Sequence, residues 1–139
     1  MIQNVCDTIQ QSSHLIILSH GMMWDNVEGV EGAGNAANAN LSYKIVSTSP
    51  NKRFASGIYP LLQQVSDRGI EVINIAGDFG QKQTDFEAVS NDGIHFIGSG
   101  ITSEKEYNQQ FASYGKPDKI LLLKHNPNTK KITWQFVEI

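Results

Sequence analysis

Residues 58–78 read IYPLLQQVSDRGIEVINIAGD, a helical pattern followed directly by an apolar run. The apolar positions of the first half recur at i, i+3, i+4 and i+7, which is the spacing of one helix face. They are Ile58, Leu61, Leu62 and Val65. Ser56 is a candidate cap for the start of this helix and Gly69 for its end. The run at 70–76 has the length and composition of a buried strand, so this stretch predicts an α/β fold.

Further elements lie on both sides of this stretch. A short helix is predicted over residues 2–11, and the apolar runs HLIILS (14–19) and GIHFIGSG (93–100) are predicted strands, the first of them buried on both faces. KILLLKHNPNTKKITWQFVEI (119–139) predicts two strands joined by a turn, with Pro127 suited to position i+1. In the second of these strands Ile132, Trp134 and Phe136 are predicted to share one face. The polar stretches between these strands are predicted to be connections that hold at most a helical turn. The prediction is a single α/β domain over residues 1–139, a mixed sheet layered with helices and ending in a β-hairpin.

Composition narrows the function classes. The chain has 139 residues and a formal net charge of -3, which argues against nucleic acid as its partner. No apolar run approaches the length of a membrane span, and the first residues lack the pattern of a secretory signal. No membrane partner is therefore predicted, and the cytoplasm is the default expectation. Cys6 is the single cysteine and is predicted to be a buried helix residue.

Two predicted strands end at a side chain that binds metals. His20 follows the first strand, and Asp78 follows the run at 70–76. Ligands of open α/β sheets lie at the carboxyl ends of strands, and imidazole and carboxylate both suit zinc, manganese or iron. Two ligands do not complete a site, so the alternative stays open that His20 is a hydrogen-bonded strand-end residue and Asp78 a turn residue.

The remaining histidines are His14, His95 and His125. None has the short spacing that marks a metal-binding cluster. All three are predicted to be structural.

The order of these segments resembles the C-terminal half of calcineurin-like metallophosphoesterases. LSHGMMWDN (18–26), a long loop, the helix and strand of 58–78 and the closing hairpin carry the resemblance, which spans residues 14–139. In that family one strand ends in a metal-binding histidine and the next in a Gly-His-x-His loop. The resemblance implies half of a four-layer sandwich, with His20 as a metal ligand.

The chain departs from that family in two respects. Asp78 and Gly80 stand where the family has its histidine pair, and Gly80 offers no side-chain ligand. The Asp-x-His, Gly-Asp-x-x-Asp and Gly-Asn-His motifs of the family's N-terminal half do not occur in these residues. We therefore expect a partial metallophosphoesterase-like domain that lacks activity on its own, and we assign no catalytic residue.

The resemblance also implies what the complete protein would bind. Its site would hold a divalent metal (manganese, zinc or iron) and hydrolyse a phosphoester substrate, with Trp24 and Asp25 near the substrate mouth. The expected partners are the missing N-terminal half or further copies in a homo-oligomer. The alternative is a non-catalytic α/β binding or assembly module, which Gly80 and the missing motifs favour.

Overall fold

The computed structural model describes residues 1–24, 27–30, 54–77, 85–100 and 117–139. Within these ranges, two helices alternate with the first two strands, and four further strands follow, the last two of which form a hairpin. The elements are α1 (Ile2–Thr8), β1 (His14–Ser19), a π-helical turn (Phe54–Ile58), α2 (Tyr59–Ser66), β2 (Glu71–Ala76), β3 (Asp85–Val89), β4 (His95–Ser99), β5 (Lys119–Asn126) and β6 (Lys131–Glu138).

Four strands form a mixed sheet in the order β1-β2-β4-β3. β1, β2 and β4 run parallel, whereas β3 pairs with β4 in the antiparallel direction. β5 and β6 form a separate antiparallel hairpin in which Leu123 lies opposite Trp134. These observations confirm the predicted mixed α/β fold with a terminal β-hairpin.

The helices cover one face of the sheet. Alternation along β2 points Val72 and Ala76 toward this face, where α2 contributes Leu62 and Val65. Four aromatic side chains fill the remaining space, with Phe96 of β4 at their centre: Trp24, Phe54, Tyr59 and Phe96. Cys6 of α1 belongs to the same core, as the sequence predicted.

The hairpin covers the opposite face. Ile73, Ile75 and Ile97 point toward it and are buried. The hairpin side chains packed on them are Leu121, Ile132, Trp134 and Phe136. The last three are the residues that the sequence placed on one face of the final strand, so that prediction is confirmed. The described part of the chain thus has three layers: helices, sheet and hairpin.

The prediction that the first strand is buried on both faces is wrong. β1 pairs with β2 at the end of the strand order, and the hairpin layer does not cover all of it. Ile16 is 38% exposed and Leu18 is 74% exposed on the hairpin side of the sheet. We call these two residues the β1 strip. Apolar composition alone does not distinguish a central strand from an edge strand whose cover is incomplete.

A polar connection was predicted where the structure has β3. Phe86 is buried against the helix-side core, whereas Glu87 is exposed. β3 lies at the edge of the sheet, where only part of a strand needs to be apolar. Its pairing with β4, from Asp85 opposite Ser99 to Val89 opposite His95, therefore determines its structure more than its own composition does.

The helix ends differ from prediction at three of four positions. α1 ends at Thr8, whose hydroxyl bonds back to the Asn4 carbonyl at 2.7 Å, and Ile9 at the cap position already has extended backbone while it packs against the core. Ser56 does not cap α2, since it lies in the π-helical turn and the cap position is Ile58. After α2 ends at Ser66, the chain turns through Gly69 at φ +79°, a conformation that favours glycine.

The hairpin turn follows its sequence signal. The Asn126 side-chain oxygen accepts hydrogen bonds from the backbone N–H groups of Asn128 and Thr129, at 3.0 and 3.2 Å. Such an Asx turn stabilises the tight connection that Asn-Pro-Asn-Thr predicts. In the described ranges we find no helix with the length and apolar character needed to cross a membrane.

Candidate functional site

The carboxyl ends of β1 and β2 lie side by side. The Gly77 N–H donates to the Ser19 carbonyl at 3.0 Å, which extends the parallel pairing by one bond beyond the two strands. A Cβ atom at Gly77 would lie 3.1 Å from the His20 carbonyl oxygen, so the backbone is closely packed here. His20 is exposed at this edge. An imidazole at this position is available to a ligand.

The other predicted site residues are placed differently. Asp78 and Asp25 lie outside the described residues, as does Gly80. Trp24 is 1% exposed and packs in the helix-side core, with its ring 5.3 Å from that of Phe96 and 6.4 Å from that of Phe86. Its packing explains the residue without a substrate, and its role at a substrate mouth stays a prediction.

Metal-binding side chains do not converge in the described ranges. No group of three or more His, Cys, Asp or Glu residues there has the arrangement needed to hold a metal ion. Only His20 of the predicted pair is described, and a catalytic centre takes about three protein ligands. The two predicted metal ligands therefore stay a prediction.

A different group of ionisable residues lies at the amino end of the sheet. His14, Glu71 and His95 are the first residues of β1, β2 and β4, and they face the hairpin. The Glu71 carboxylate lies between the two imidazoles, with one oxygen 2.9 Å from His14 Nε2 and the other 3.5 Å from His95 Nε2. We call these three residues the His–Glu–His cluster.

The hairpin contacts this cluster through two aromatic rings. The His125 ring of β5 lies edge-on to His14 with 6.0 Å between centroids, and Trp134 of β6 contacts His95 in the same manner at 5.0 Å. His14 and His95 were predicted to be structural because their spacing along the chain does not mark a metal-binding cluster. The signal that could have found the cluster is that each member lies within the first three residues of a predicted strand.

Ionisable side chains elsewhere connect α2 to the turn before β4 and to α1. Tyr59 donates from its hydroxyl to the Asp92 carboxylate at 2.5 Å, and Gln63 donates to the same carboxylate at 3.0 Å. Burial, followed by the bond to Asp92, raises the pKa of Tyr59 to about 12. Arg68 donates to the Cys6 carbonyl and so joins the end of α2 to α1. Burial raises the pKa of the Cys6 thiol, which makes it a poor nucleophile.

The hairpin is also joined to the edge strand β3. Lys119 donates to the Asp85 carboxylate at 2.7 Å, and this bond raises the pKa of the lysine. Ser99 of β4 donates to the Lys119 carbonyl at 3.0 Å. With the contact between His125 and His14, these bonds show that β5 crosses the sheet from the end of β4 to the start of β1.

Comparison of the chain with protein-family models, with curated proteins and with solved structures finds no match in any of the three.

Proposed function

We propose that this chain is a metallophosphoesterase-like protein, part of a domain that hydrolyses a phosphomonoester or phosphodiester with a metal-activated water. His20 and Asp78 would be its contribution to a centre that holds manganese, zinc or iron. The donors that it lacks would come from a further segment or another copy, so we expect no turnover from the chain on its own.

The observation that carries this proposal is the adjacency of two strand ends. The bond from Gly77 to Ser19 holds together the points at which β1 and β2 end, and His20 and Asp78 are the next ionisable residues after those points. Parallel strands place their ligand sites at this edge. Imidazole and carboxylate are donors that a divalent metal accepts, although two donors fall short of a centre.

The layers supply a second line of support. A four-layer sandwich would place a further helical layer beyond the hairpin and further strands beside it. Neighbouring strands lie about 4.8 Å apart, so a two-stranded layer spans about half the width of a four-stranded sheet. The β1 strip of Ile16 and Leu18 lies on the hairpin side, and its exposure is what an incomplete second sheet would leave. The four-layer arrangement is part of the proposal.

The metal role of His20 can be tested by direct binding. We expect His20→Ala to weaken binding of Mn²⁺ or Zn²⁺ by about tenfold or more, because it removes an imidazole ligand. Equilibrium dialysis with elemental analysis measures this effect. His125→Ala is the matched control, since it removes an exposed histidine from the hairpin. Equal affinity in the wild type and His20→Ala would remove His20 from the site.

Turnover is assayed on the same samples with a generic aryl phosphodiester and added Mn²⁺. We expect no turnover by the chain alone. Metal bound near stoichiometric amounts together with turnover would mean that the chain builds a complete centre, and the proposal of a partial domain would be wrong.

The incomplete layer predicts self-association. We expect the wild-type chain to form concentration-dependent oligomers through its exposed apolar surface, and Leu18→Lys to reduce them by placing a charge on the β1 strip. Light scattering after size-exclusion chromatography measures the mass. Val5→Lys is the control, because Val5 is an exposed apolar residue on the outside of α1. A monodisperse wild-type monomer would count against a missing layer.

A non-catalytic α/β module is the second candidate. The core position of Trp24 favours it, because this side chain is fully used in packing. This candidate predicts a cooperative monomer that is indifferent to chelators. The dialysis and light-scattering experiments therefore separate the two candidates.

A further inference from the structure

We propose that the His–Glu–His cluster is a proton-linked clasp, in which uptake of a proton at mildly acidic pH tightens the hairpin onto the sheet. The cluster lies at the amino ends of β1, β2 and β4, whereas His20 follows the carboxyl end of β1. It therefore does not depend on the proposed metal site. The ligand of the cluster is a proton, and the property that this proton changes is how tightly β5 and β6 pack on the sheet.

One carboxylate, that of Glu71, lies within ion-pair distance of two imidazoles. Each Glu71 oxygen approaches a different ring, His14 Nε2 at 2.9 Å and His95 Nε2 at 3.5 Å. Free histidine takes up a proton near pH 6.5, within the physiological range. A proton on either ring converts a contact with a neutral group into an ion pair, and charge-assisted hydrogen bonds are about twice as strong as neutral ones.

The imidazole rings of His14 and His95 each have a buried nitrogen without a hydrogen-bond partner. The His14 side chain is 8% exposed, and its Nδ1 lies 2.8 Å from the Ser13 hydroxyl. Its Nε2 is close to Glu71 but lacks the alignment of a hydrogen bond, and the buried His95 Nδ1 has no hydrogen-bond partner. Buried polar atoms without partners are costly. A small movement of the Glu71 carboxylate toward a protonated ring would satisfy His14.

Contacts between aromatic rings connect the cluster with the hairpin. Trp134 lies against His95 with the two ring planes 74° apart, and an imidazolium facing the indole ring would gain a cation–π attraction that neutral imidazole lacks. His125 contacts His14 from β5. An open cleft of about 430 Å³ between His14, His125 and Lys130 gives solvent access to this end of the sheet. The proton can therefore reach the cluster without unfolding.

The charges that face the cluster limit the pH range over which protonation stabilises the docked hairpin. Lys130 of the hairpin turn is positive, and His125 places a second ionisable side chain on the hairpin side of the cleft. The Glu71 carboxylate compensates the charge of one added proton. Further protons on His14, His95 and His125 would repel each other. Carboxylates in general take up a proton at still lower pH and then carry no negative charge. Hairpin docking is thus expected to be strongest near pH 6 and weaker at both pH 8 and pH 4.

Hydrogen exchange measured residue by residue tests the clasp in the full chain. After correction for the intrinsic pH dependence of exchange, we expect the protection factors of β5 and β6 amides to rise at least about threefold from pH 8 to pH 6. Amides of Leu62 and Val65 in α2 provide the internal reference. In Glu71→Gln the rise should disappear or reverse, because an amide does not compensate a protonated imidazole.

Two further variants make the result decisive. Glu87→Gln is the matched control for Glu71→Gln, since it removes an exposed carboxylate of β3 outside the cluster, and it should keep the full wild-type rise. His95→Gln removes one ring of the cluster and should reduce the rise; it also carries the test if Glu71→Gln does not fold. An unchanged rise in the cluster variants, or no rise in the wild type, would overturn the proposal.

Discussion

Replacing Trp24 with alanine is expected to lower the free energy of unfolding by about 3–5 kcal/mol, the range for removing a large aromatic side chain from a core. Trp24 is 1% exposed, and its ring lies against Phe86 of β3 and Phe96 of β4. The segment that follows β1 is thereby anchored to both strands. Urea denaturation followed by circular dichroism measures the loss.

Trp24→Phe is the matched control for this experiment. It keeps an aromatic ring among the same neighbours, so we expect a loss of about 1–2 kcal/mol. A small loss in Trp24→Ala would mean that the side chain does not carry core packing in solution. That result would favour the predicted role of Trp24 at a substrate mouth, since replacing a surface tryptophan changes the free energy of unfolding little.

Raising the pH from 10 to 12 is expected to reduce the free energy of unfolding by about 2 kcal/mol through Tyr59 alone. The pKa of this residue is raised to about 12 in the folded chain, first by burial and second by the bond to Asp92. A free tyrosine has a pKa near 10. The folded pKa is the higher one, so this contribution is fully present below pH 10 and is lost as pH rises through 12.

Tyr59→Phe isolates this contribution from other alkaline titrations. Phenylalanine keeps the ring against Phe54 and Phe96, and Asp92 keeps its bond from Gln63. We expect the variant to lose about 1 kcal/mol at neutral pH and to show a flatter stability profile between pH 10 and 12. Identical alkaline profiles in the two proteins would show that Tyr59 does not titrate with a raised pKa.

The fold was largely readable from local patterns. The helical spacing at 58–65 and the apolar run at 70–76 predicted α2 and β2, and the alternation of Ile132, Trp134 and Phe136 predicted the buried face of β6. These segments each bury a continuous apolar face, and periodicity reports that property directly. β3 was missed because an edge strand needs few apolar residues, and its pairing partner is not visible in its own sequence.

The candidate sites divide in a similar way. His20 was predicted as a candidate because its position after an apolar run marks the carboxyl end of a strand, and the structure places that strand end beside Gly77. The His–Glu–His cluster was missed because its members are 57 and 24 residues apart, as the numbers of His14, Glu71 and His95 show. Only the parallel register brings the three strand starts together.

The sequence by itself determined the types of most elements, the hairpin with its Asn-Pro-Asn-Thr turn, and the positions of His20 and Asp78 directly after two apolar runs. Tertiary structure decided which strands lie at the edge, why Trp24 is a core residue and Leu18 a surface one, and which ionisable groups meet across the layers. The physical reason is that periodicity and turn chemistry act within a few residues of the chain. Strand order, incomplete layer cover and contacts such as that of Glu71 with two histidines depend on residues far apart in sequence.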